Sequence, residues 1–145
     1  MCRSVLLLTV FCAMAGPVRA QVGDAPKEAP HPISAAYEAC NEKDPSTAGM
    51  MSCAAAAEAG WDKELNAAYG ELTKALKGTS LEALRQAQRA WIAQRDREYA
   101  LQDAIRGELD GTMWGPVMAD QRASLVEARA RQLRAYKSFL DDGRP

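Results

Sequence analysis

The stretch MMSCAAAAEAGWDKELNAAYGELTKALKGTSLEALRQAQRAWIAQRDREY, residues 50–99, decides the fold. In its first half Met50, Cys53, Ala57, Trp61, Leu65, Ala68, Leu72 and Leu76 recur every three or four positions, the spacing of an amphipathic helix with one buried stripe. Gly78 marks the end of that helix as a C′ glycine. Thr79-Ser80-Leu81-Glu82 then reads as a capping box, with Thr79 as the cap of a second helix. Leu81, Leu84, Gln88, Trp91, Arg95 and Tyr99 lie on one face of it. A turn this short between two long helices implies an antiparallel hairpin.

Working outward, Asp44-Pro45 supplies an N-cap and a proline at the first helical position, so the first long helix is expected over about 45–77. Ahead of it Ile33 to Asn41 reads as a short helix carrying Tyr37 and Cys40. Residues 106–116, RGELDGTMWGP, are expected to form a loop on the strength of three glycines and a proline. A third long helix is expected from Val117 to Leu140, with Val117, Gln121, Leu125, Ala128, Gln132, Tyr136 and Phe139 facing inward. No strand pattern and no internal repeat occur. The fold class is therefore all-α, a small antiparallel bundle of three long helices plus a short N-terminal one, in a single domain over 33–142.

The N-terminus reads as an export signal. Arg3 precedes the uncharged apolar run Val5–Ala15, Gly16-Pro17 breaks it, and Val18-Arg19-Ala20 fits a cleavage site near Ala20. The run is too short to span a bilayer and no later one is apolar enough, so no transmembrane segment is expected. Cys12 follows the bulky Phe11, which argues against a lipid-anchored cysteine. Residues 21–32, QVGDAPKEAPHP, hold three prolines and form a flexible leader in which His31 is exposed and incidental.

Cleavage after Ala20 removes Arg3 and Arg19, taking 18 basic residues to 16 against 19 acidic ones, a net charge of −3. That balance argues against nucleic acid as a partner. Cleavage also removes Cys2 and Cys12, leaving Cys40 and Cys53. In an oxidising compartment two cysteines are most simply one disulfide, closing a loop of about a dozen residues and contributing on the order of 2–3 kcal/mol; two unpaired buried thiols are the alternative.

Sequence motifs for phosphate loops, metal sites and nucleophile elbows are absent, so no catalytic residue, metal or cofactor is assigned. The carboxylates Glu58 and Asp62, one turn apart, read as solvated surface charge before an acid/base pair. Gln88, Trp91 and Arg95 share a face that should be buried, and buried polar groups require partners. Asn66 and Tyr69 on the preceding helix face the right way, and Asp96 is placed to pair with an arginine. Such a set is either a polar binding pocket or a network that fixes helix register; the second reading is favoured.

These same residues carry a resemblance. WDKELNAAYGELTKAL…LEALRQAQRAWIAQRD, residues 61–96, resembles the signature of the lysozyme inhibitor LprI family of small exported bacterial proteins, D-x-x-L-N-x-x-Y-x-x-L followed by A-Q-x-x-W-I-x-x-R-D. Asp62, Leu65, Asn66, Tyr69, Leu72, Ala87, Gln88, Trp91, Ile92, Arg95 and Asp96 occupy those places. Met50-x-x-Cys53 with Cys40 before it, and GTMWGP at 111–116, fit the same family, so the likeness covers about residues 40–136. Many members carry a cysteine three residues after the R-D pair and another on the last helix. Here the first place is Tyr99 and the last helix has no cysteine, so both halves of that bridge are missing together.

The resemblance implies a periplasmic or secreted inhibitor of lysozyme or another peptidoglycan hydrolase, acting without catalysis. The alternative is a non-enzymatic envelope module, structural or stress-related, with no lysozyme target. Residues 24–71 hold nine acidic residues against three lysines, while the last helix holds Arg122, Arg129, Arg131, Arg134 and Lys137 against Asp120 and Glu127. An acidic face would steer toward a cationic enzyme; ordinary solvated helix faces would look the same. Glu58 and Asp62, with the loop residues Met113 and Trp114, are the candidate partner contacts. Trp114 is read either as an exposed anchor or as a plug in the bundle end. Sequence alone leaves the oligomeric state open.

Overall fold

The computed structural model describes residues 29–143. The expected signal at 1–20 and the leader up to residue 28 lie outside the described residues. Four helices account for the fold: α1 (Pro32–Lys43), α2 (Thr47–Ala75), α3 (Gly78–Glu108) and α4 (Trp114–Asp142). The all-α bundle of three long helices and one short one is the expected architecture, and Cys40 and Cys53 are joined in a disulfide with Cα atoms 5.7 Å apart.

The caps differ from the sequence expectation. Ser46, not Asp44, caps α2, its Oγ accepting from the Gly49 N–H at 3.0 Å, while the Asp44 carboxylate accepts from the Ser46 N–H at 3.1 Å. Hydrogen bonding from the Ser46 hydroxyl, and then from its backbone N–H, holds the Asp44 carboxyl below its ordinary value. Thr79 caps nothing. α3 already begins at Gly78, whose φ of +54° turns the chain at the head of α3 rather than at the C′ position of α2. His31 is not incidental: its Nδ1 accepts from the Ile33 N–H to cap α1, and its ring lies 4.4 Å from that of the buried Trp61. The Gly-rich connection is also shorter than expected, because α3 runs on to Glu108 and α4 starts at Trp114.

The stripe read on α2 is the core. Cys53, Ala57, Trp61, Leu65, Ala68 and Leu72 are all buried, and Leu84, Val126, Ala130 and Leu133 complete the central cluster. The inward face expected for α4 is wrong. Val117, Gln121, Ala128, Gln132, Tyr136 and Phe139 are exposed and Leu125 is half-buried, while Ala123, Val126, Arg129, Ala130 and Leu133 face the core. The buried face is rotated away from the bulky stripe because α4 docks closely on α2, and at Ala68 and Ala130 only a methyl group fits between the backbones.

α2 against α4 is the most extensive helix contact in the bundle, whereas α2 and α3 approach closely at few points despite their short connection. The hairpin is therefore splayed. α3 faces its neighbours with long side chains, Gln88, Trp91, Arg95 and Tyr99, which hold its backbone off and leave grooves on either side. α1 lies along α2, fixed by the disulfide and by the Tyr37 hydroxyl donating to Asp120 Oδ1 of α4 at 2.9 Å. Burial first, and then that carboxylate, raise the Tyr37 phenol above its ordinary value.

Candidate functional site: a groove between the splayed helices

The residues read as one polar network are only partly brought together. Gln88 is buried, and its Oε1 accepts from Arg129 Nε at 3.0 Å and Nη2 at 2.9 Å; Arg129 also donates to Gln132 Oε1. Trp91 is half-buried between two guanidinium groups, Arg95 at 5.5 Å and Arg129 at 5.8 Å from the ring centroid. Arg95 bonds to its chain neighbour Asp96 through Nε and Nη2, on the surface. Asn66 is exposed and donates to Asp62 one turn earlier at 2.9 Å, and Tyr69 packs against the apolar core. Gln88 is thereby joined to Arg129 of α4, a partner that the helical spacing does not point to.

Next to these residues the α2–α3 groove opens. At the loop end a cleft of about 510 Å³ is walled by Met51, Glu58, Asp103, Arg106, Met118 and Arg122. Further along, a second hollow is lined by Glu58, Asp62, Arg95 and Tyr99 over Val126. Glu58 and Ala55 line both, so the two hollows adjoin as a trough with carboxylates on its α2 edge.

Tyr99 ties the trough together. Its hydroxyl donates to Glu58 Oε1 at 2.7 Å and lies 3.5 Å from the Arg122 carbonyl oxygen. Arg122 returns a bond from Nη2 to the Tyr99 carbonyl, donates from Nε to Gln102, pairs with Asp103, and stacks 4.7 Å from the Tyr99 ring centroid. Burial, then the hydrogen bond to Glu58 and its charge, push the Tyr99 phenol far above its ordinary value, with Arg95 and Arg122 acting the other way. Tyr99 thus links α2, α3 and α4.

The proposed acidic and basic halves partly cancel. Arg134 of α4 bonds Glu71 at 2.7 Å and Glu64 at 3.0 Å, closing off the α4-facing edge of α2. Glu58 and Asp62 sit on the other edge, in the trough. Met113 is 55% and Trp114 40% exposed. Neither lines the cleft, although their chain neighbours Thr112 and Gly115 do. Among the described residues no group of His, Cys, Asp and Glu side chains is placed to hold a metal ion, and no helix is long and apolar enough to cross a membrane.

The described residues thus form a disulfide-tied four-helix bundle with charged hollows between α2, α3 and α4. Residues 39–133 match the family described as Lysozyme inhibitor LprI, and the chain belongs to that family. The crystal structure of an uncharacterized protein from Burkholderia thailandensis is similar, with 31% identity, a TM-score of 0.73, and coverage of 79% of this chain and 57% of that one. The chain thus spans little more than half the length of that relative. Among curated proteins none matches.

Proposed function

We propose that this protein is exported and, after cleavage near Ala20, inhibits a lysozyme or related peptidoglycan hydrolase by binding it without catalysis. Membership of the LprI family carries this reading. The α2–α3 trough is the surface that suits it: Glu58 and Asp62 offer negative charge to a cationic enzyme, and Met113 and Trp114 supply apolar contact area. Glu58 is committed to Tyr99, whereas Asp62, Met113 and Trp114 are free to change without disturbing the core.

The test is lysis of a peptidoglycan suspension by several lysozymes in the presence of the purified, disulfide-bonded protein. Inhibition is expected at low ionic strength and should weaken as salt screens the carboxylates. Trp114→Ala and Asp62→Lys should each weaken it by about tenfold, the effect of losing roughly 1.4 kcal/mol, with no change in unfolding midpoint. No slowing of any lysozyme at large molar excess overturns the proposal.

A further inference from the structure

Toward the other end of the bundle, where the end of α2, the start of α3 and the end of α4 meet, the splayed packing leaves a second groove of about 430 Å³, within the size range of small-molecule sites. Its floor is Leu72 and Leu84, Leu76 and Leu140 close one end, and the small Ala83 and Ala87 form the α3 wall. Tyr136 and Phe139 stand on the α4 wall, with Phe139 67% exposed. The one charged residue lining it is Arg129, which is only 8% exposed.

Arg129 has no carboxylate partner among the described residues. Its three hydrogen bonds all go to neutral amide oxygens, of Gln88 and Gln132. The guanidinium has more N–H bonds than these acceptors take up. A buried cation held only by amides keeps an uncompensated charge, which is costly unless an anion joins it. Burial accordingly lowers the Arg129 pKa. From Arg129 to Leu140 α4 rises roughly 16 Å at 1.5 Å per residue, so an apolar channel leads away from the cation over the length of a medium acyl chain.

We infer that this groove binds a single-chain amphiphile with a carboxylate head, the head on Arg129 and the chain lying along Leu72, Leu76, Ala83 and Phe139. The carboxylate supplies the missing counter-charge, and the chain covers the exposed aromatic wall. The site is distinct from the α2–α3 trough and does not rest on lysozyme inhibition.

The test is calorimetric titration of the purified, disulfide-bonded protein with decanoate below its micelle concentration, followed in parallel by tryptophan fluorescence, since the Trp91 ring lies beside Arg129. Saturable binding is expected, about tenfold or more tighter than for decanol, with decyltrimethylammonium weaker still, because a charge-assisted contact to the head is gained. Ala83→Trp, on an exposed position of the α3 wall, should fill the groove and abolish binding without lowering the melting temperature. Arg129→Met should bring decanoate down to decanol. Equal affinity for the three heads, or unchanged decanoate binding in Ala83→Trp, overturns the inference. So does a dimer in sedimentation that decanoate leaves intact and Ala83→Trp dissociates, because the groove is then covered by a second copy of the chain.

Discussion

Tyr99 joins three helices at one position. Its hydroxyl donates to Glu58, its carbonyl accepts from Arg122 and its ring lies against the same guanidinium. The tie is sensitive to alkaline pH. A phenol whose folded pKa is raised contributes stability that is fully present below the ordinary value of about 10 and is lost as pH rises through the folded value. Tyr99→Phe should therefore cost about 1.5–3 kcal/mol at neutral pH, the range for a hydrogen bond to a charged acceptor. It should also flatten the fall in stability above pH about 10 relative to the unmodified protein. Urea unfolding across that pH range checks both effects, and parallel curves for the two proteins would refute the second.

Among the elements, two of the three glycines in α2 have opposite roles. A Cβ at Gly49 would overlap both the carbonyl oxygen and the carboxyl group of Asp44, which the Ser46 cap holds in place. A Cβ at Gly70 meets nothing within 4 Å. Gly49→Ala should therefore destabilise by about 2 kcal/mol, in the range for overpacking, while Gly70→Ala should stabilise by up to about 1 kcal/mol through helix propensity. Denaturant midpoints of the two variants moving in the same direction would contradict this. The same element explains why part of the fold was legible in sequence. Trp61, Leu65 and Leu72 are bulky, unambiguous and regularly spaced, and all are buried. α4 misled because Tyr136 and Phe139 make a stronger apolar stripe than the real interface, which uses Ala123, Ala130 and an arginine. Alanine at close helix crossings gives little sequence signal, and the capping-box letters at Thr79 lost to the positive φ of Gly78.

At the scale of the whole molecule, the bundle is a tight α2–α4 pair with α3 propped against it on long polar and aromatic side chains. Sequence reading found the disulfide and one edge of the trough through Glu58 and Asp62. It missed Arg122 and Arg129, because a helical arginine looks the same in sequence whether it faces water or a groove. The uneven packing predicts uneven stability. In native-state hydrogen exchange the amides of α3 should open at lower free energy than those around Leu65, Ala68, Val126 and Leu133. Uniform protection across all three long helices would count against a propped α3. The pairing of α2 with α4 also sets the order of assembly. The segments that bury one another most are separated in the chain by all of α3, so the core lacks its main partner until the C-terminal third has been made. A nascent chain, or one cut short before Val126, presents Trp61, Leu65 and Leu72 as an uncovered stripe. Closure of this bundle is thus a post-synthesis event, and a premature stop in α4 yields an aggregation-prone fragment rather than a smaller version of the protein.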